Sequence, residues 1–95
     1  MNAGASVIID CTGVGSESEF WEAYVQDAKP QGAEFFGRNL DAFWDALHGG
    51  PGFPQVDEVR FTGTSSLATL RNGDFLKALR EIAHTSAGVK ITLER

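Results

Sequence analysis

Ninety-five residues, 42% hydrophobic and 22% charged, are the composition of one ordinary globular domain spanning 1–95, long enough to bury roughly 60% of its unfolded surface. A formal net charge of −5 argues against nucleic acid as a direct ligand and favours a basic protein partner. The single cysteine, Cys11, permits no intrachain disulfide. No secretory signal opens the chain and no apolar run nears the roughly 20 residues of a membrane span, so a cytoplasmic location and no membrane contact are expected.

Val7-Ile8-Ile9, ending at Asp10, is an uninterrupted β-branched run. It reads as a strand buried on both faces, as in a parallel sheet. Thr12-Gly13-Val14-Gly15 breaks it. Ser16 and Ser18 are both plausible caps, and Ser16 with Glu19 fits a capping box. Phe20, Trp21, Tyr24 and Val25 then predict a helix from about Glu19 to Ala28, which Lys29-Pro30-Gln31-Gly32 ends.

The next stretch, Phe35 to Gly50, reads as a loop, a capped helix and a hard stop. Asn39 is a good N-cap, because its side-chain carbonyl can accept from an orphan N–H of the first turn. Asp41 falls in that turn, where the helix dipole favours negative charge. Gly49-Gly50-Pro51-Gly52 terminates the helix. Leu40, Phe43, Trp44 and Leu47 recur at i, i+3, i+4 and i+7, the spacing of a buried face. Asp41, Asp45 and His48 recur at i, i+4 and i+7 on a second stripe, centred roughly 115–120° from the first, with Trp44 at the border. Two aspartates at i, i+4 repel, and no Lys or Arg follows within the helix to relieve them. The stripe is either a solvated face or a surface made to receive a cation.

Val56-Asp57-Glu58-Val59-Arg60-Phe61 alternates enough for a second strand. Gly63-Thr64-Ser65-Ser66 opens a short helical segment around Leu67 and Leu70. Asn72-Gly73-Asp74 begins the last helix, with Phe75, Leu76, Leu79, Ile82 and Ala83 as its apolar face and Glu81 roughly opposite. Val89-Lys90-Ile91-Thr92-Leu93 is the final strand. The order β-α-α-β-(α)-α-β predicts an α/β fold: a three-stranded parallel sheet flanked by three to four helices.

Gly13-Val14-Gly15 has the context of a dinucleotide loop, but no third glycine completes G-x-G-x-x-G and a glutamate carboxylate would sit near the pyrophosphate, so a plain connection is the better reading. Asp41, Asp45 and His48 are legitimate metal ligands without a fourth at telling spacing, and no nucleophile pairs with them for acid–base chemistry. No metal, no cofactor and no catalysis are expected. Cys11 reads as a small buried thiol and His84 as a solvated residue of the last helix.

The segment Phe35-Phe36-Gly37-Arg38-Asn39-Leu40-Asp41-Ala42-Phe43-Trp44-Asp45-Ala46-Leu47 resembles the barstar family of intracellular ribonuclease inhibitors. Gly37, Asn39, Leu40, Asp41, Ala42, Trp44, Asp45 and Leu47 stand where that family has them. A weaker likeness covers nearly the whole chain, including Phe20, Asn72-Gly73, Leu76, Arg80-Glu81 and the terminal Ile-Thr strand. The resemblance implies a barstar-like domain that inhibits a secreted, guanyl-preferring ribonuclease as a monomer in a 1:1 complex, protecting its producer. It implies that Asp45 enters the phosphate site of the enzyme's basic cleft and that Asp41 meets other basic groups. Glu81 is a third acid at the contact. Phe35, Gly37, Asn39, Leu40, Trp44, His48 and Gly49 complete the expected partner surface. The chain departs from the family pattern at three places: Phe35 replaces a tyrosine, His48 a small polar residue and Gly50 a tryptophan. The alternative reading is a module of the same fold that binds a basic partner other than a nuclease.

Overall fold

Six short apolar segments of alternating or 3.6-residue period meet in one core. The computed structural model describes residues 5–95. Strand β1 (Ser6–Asp10) leads through helix α1 (Glu17–Ala28) and a 3-10 turn (Ala33–Phe35) to helix α2 (Leu40–Leu47). Strand β2 (Glu58–Thr62), a 3-10 segment (Thr64–Gly73), helix α3 (Asp74–Thr85) and strand β3 (Lys90–Leu93) follow. The three strands are parallel in the order β1-β2-β3. This is the expected α/β fold.

Parallel register aligns Val7 with Val59 and Ile91, and Ile9 with Phe61 and Leu93. These rows face the helices. The even rows, Ser6-Glu58-Lys90 and Ile8-Arg60-Thr92, form the other face, and there Ile8 is 58% exposed. The expectation that β1 is buried on both faces is therefore wrong. Right-handed crossovers that advance the sheet always in one direction return every helix over the same face. Polar pairs cover the open face instead: Thr92 Oγ1 donates to Glu58 Oε2 at 2.5 Å, and the Arg60 guanidinium pairs with Glu94.

Phe20, Trp21 and Tyr24 of α1, Phe43 of α2, Phe75 and Leu79 of α3, and Ile9, Val59 and Phe61 of the sheet are fully buried together. Phe20 stacks on Phe61 with centroids 5.1 Å apart and meets Phe75 edge-on at the same distance. Cys11 is buried among them, as expected, and burial, with the charges of Asp10 and Asp27, pushes its thiol up to about 12.

Several boundaries differ from those read in the sequence. Ser16 caps α1, its Oγ accepting from Glu19 N at 3.1 Å, but Glu19 reaches back to Gly15 N rather than to the cap's own amide. β2 starts at Glu58, two residues late, and the segment around Leu67 and Leu70 runs ten residues, broken where Arg71 and Asn72 turn left-handed.

Candidate partner-binding site

The loop before α2 is built from one ring turned in and one turned out. Phe36 is buried against Trp21 and Tyr24, with centroids 5.7 and 5.6 Å away, while Phe35 is 76% exposed. The loop is held from behind. Gln31 N donates to Phe53 O at 2.9 Å and Gly52 N to Gln31 O at 2.7 Å, tying the segments on either side of α2 together. Tyr24 Oη donates to Gly52 O at 2.6 Å. Gly52 is left-handed (φ +96°), and a Cβ there would lie 2.6 Å from the Phe36 ring, so only glycine lets the two loops meet.

Asn39 caps α2 as expected: its Oδ1 accepts from Ala42 N at 2.8 Å, and its Nδ2 donates to Gly37 O at 3.2 Å. A Cβ at Gly37 would sit 3.0 Å from that of Ala42, which sets how closely the loop enters the helix. The buried face of α2 is Phe43, Ala46 and Leu47. It is rotated from the expected stripe, because Leu40 is only half-buried and Trp44 is 37% exposed. At about 100° per residue the exposed arc is then Trp44, His48, Asp41 and Asp45, so the large aromatic belongs with the acids.

His48 leans on Trp44, with ring centroids 4.4 Å apart, and its Nδ1 lies 2.7 Å from Trp44 O. A carbonyl oxygen only accepts, so Nδ1 donates to it and the ring is held against the indole. The carboxylates of Asp41 and Asp45 complete the arc with acceptors. Gly49 (φ +98°) closes the helix behind it.

Across from α2, α3 presents Glu81 on its exposed side. The two helices enclose a cleft of about 460 Å³ that is lined by Asn39, Leu40, Asp41 and Trp44 on one wall and Glu81 on the other. The structure thus brings Asn39, Leu40, Asp41, Trp44 and Glu81 together. Phe35 and Gly37 lie in the loop preceding α2, and Asp45 and His48 continue the arc toward Gly49. Among the described residues Asp41, Asp45 and Glu81 make no ion pair; Arg38 lies 3.8 Å from Glu22 and Arg71 grips Glu17, while Lys77 and Arg80 stand beside Glu81 on α3.

Arg71 also lines the cleft, and nothing in the sequence singled it out. It arrives from a left-handed turn (φ +49°), a conformation that its residue type does not advertise. Among the described residues no three His, Cys, Asp or Glu side chains are grouped to hold a metal ion, and Asp41, Asp45 and His48 form no such set. His84 is exposed on α3. No helix among the described residues is long and apolar enough to cross a membrane.

A family model described as barstar (barnase inhibitor) matches residues 5–93. No curated protein matches the chain significantly.

Proposed function

The chain belongs to the barstar family of barnase inhibitors, and from that premise we propose that it blocks the basic active site of a secreted, guanyl-preferring ribonuclease with the exposed arc of α2. One observation carries the reading. Three carboxylates, Asp41, Asp45 and Glu81, stand exposed and without an ion-pair partner among the described residues, around a cleft walled by Trp44. Unrelieved negative charge on neighbouring helices costs folding free energy and is recovered when a cationic surface docks.

In this complex Asp45 occupies the place of the substrate phosphate. Asp41 and Glu81 meet guanidinium or ammonium groups at the cleft, and Trp44 offers a face to the same cations. Phe35 lies flat against the enzyme's catalytic histidine. Asn39 and Gly37 hold the loop, and Leu40, His48 and Gly49 border the contact. The inhibitor performs no chemistry. It fills the site as a monomer, one to one, and protects the cytoplasm of its producer from a toxic ribonuclease.

Titration of the protein into assays of several guanyl-preferring ribonucleases tests this. Stoichiometric loss of activity is expected in more than one of them, because Gly50 offers no side chain to the rim of the cleft. Undiminished cleavage across the whole panel refutes the reading and leaves a basic partner of another kind.

A further inference from the structure

The cleft that awaits a foreign cation already has one of its own. Arg71 lines it together with Asp41, Trp44 and Glu81. A free guanidinium in that position would fold onto the two acids and the indole and compete with any partner. It is instead turned aside. Arg71 Nε donates to Glu17 Oε2 at 2.5 Å and Arg71 Nη2 to Glu17 Oε1 at 2.7 Å, a two-pronged grip between residues 54 apart in the chain.

Two further features belong to this grip. Glu17 is the first residue of α1, where the helix dipole favours a carboxylate. Arg71 and Asn72 are both left-handed without being glycine (φ +49° and +54°), a backbone state that costs free energy and persists only where the surroundings impose it. Resting on the reading of α2 and α3 as the ribonuclease contact, we infer that Glu17 is a positioning residue of the inhibitory site: it latches Arg71 at the end of the cleft and so keeps Asp41 and Glu81 open for the enzyme's cations.

Glu17→Gln keeps the shape of the side chain and removes its charge, so it opens the latch without emptying the site. In the free variant, proton NMR is expected to show stronger contacts between the Arg71 δ-methylene and the Trp44 indole than in the wild type. Affinity for the ribonuclease most strongly inhibited is expected to fall about two- to fivefold, the cost of breaking one exposed ion pair before docking. Arg71→Gln alone, and the double variant Glu17→Gln/Arg71→Gln, should bind as tightly as wild type or tighter. A double variant as weak as Glu17→Gln overturns the latch. So does an Arg71 whose contacts with Trp44 do not strengthen in Glu17→Gln, whatever the chain binds. If Arg71 moves onto Trp44 but no variant binds any ribonuclease, the latch stands and the proposed partner falls.

Discussion

Phe35 and Phe36 are adjacent, chemically identical and opposite in role, and truncating each in turn separates binding from folding. Phe35 is 76% exposed, so of the roughly 200 Å² a buried aromatic side chain removes from water, about 150 Å² is still available to a partner. At ~25 cal/mol per Å² its complete burial in a complex would contribute up to about 4 kcal/mol. Partial coverage and loop ordering reduce this, so Phe35→Ala should cost about 2 kcal/mol of binding, or ~30-fold in Kd. The same change should leave folding stability within about 0.5 kcal/mol, as for an exposed residue without special geometry. Phe36→Ala should behave in the opposite sense. Its ring sits between Trp21, Tyr24 and the backbone of Gly52, and its loss should destabilise the fold by about 3–5 kcal/mol. Calorimetric titration against an inhibited ribonuclease, paired with urea unfolding of the free variants, reads both numbers. Phe35→Tyr should keep the affinity. A Phe35→Ala variant that binds like wild type would remove the loop before α2 from the contact and refute the placement of the interface.

Asp45→Ala should weaken binding most and Asp41→Ala next, each without loss of folding stability. Truncating one partner of a buried charge pair at an interface costs roughly 2–5 kcal/mol, which sets the scale expected for each. The on-rate should fall steeply as salt shortens the screening length from about 10 Å to about 3 Å, with a smaller change in the off-rate, and stopped-flow mixing at several ionic strengths would expose a mainly apolar interface as a flat on-rate. Folding stability should decline in alkali. The buried Cys11 thiol holds its proton until about pH 12 against an ordinary 9.0, and burial likewise raises the Tyr24 phenol. As pH rises past 9.0 the unfolded chain therefore loses protons that the folded chain keeps, which favours unfolding until the folded group itself titrates. Urea midpoints of wild type and Cys11→Ala should converge as pH rises from 9 toward 11, and midpoints that keep their separation throughout would contradict this.

What was legible in the sequence was whatever local chemistry decides. The cap at Asn39, the glycine stop at Gly49 and the helical spacing of Glu81 opposite the core face of α3 follow from single residues and short periods, and each stands in the structure. The failures concern partners outside the local segment. Val7-Ile8-Ile9 is equally consistent with one covered face or two, and only the strand order β1-β2-β3 leaves Ile8 in the open. Trp44 fits the apolar period of α2, yet Ala46, small and unremarked, takes the buried position while the indole turns to the acids. That Glu81 faces Asp41 across a cleft, and that Arg71 stands at its end, depends on how α2 packs against α3, which no spacing within either helix encodes.

Gly50 shows how tightly the end of α2 is fitted to its task. The Asp45 carbonyl accepts from both His48 N and Gly50 N, each at 3.0 Å, so the turn folds back onto the residue that carries the central acid. A Cβ at Gly50 would lie 3.0 Å from that same oxygen and 3.3 Å from its carbon. The neighbour that would have to yield is backbone of the last helical turn, not the tip of a flexible side chain, and its movement would carry Asp45 with it. A side chain added here is therefore not a simple gain of rim contact, because the Asp45 carbonyl has to give by a few tenths of an ångström before it fits. A bare turn keeps Asp45 in register with Asp41 at the cost of surface at the rim. On the proposed reading, binding then concentrates on Phe35, Trp44 and the three carboxylates, groups suited to a phosphate site and its cations rather than to the loops that distinguish one ribonuclease from another.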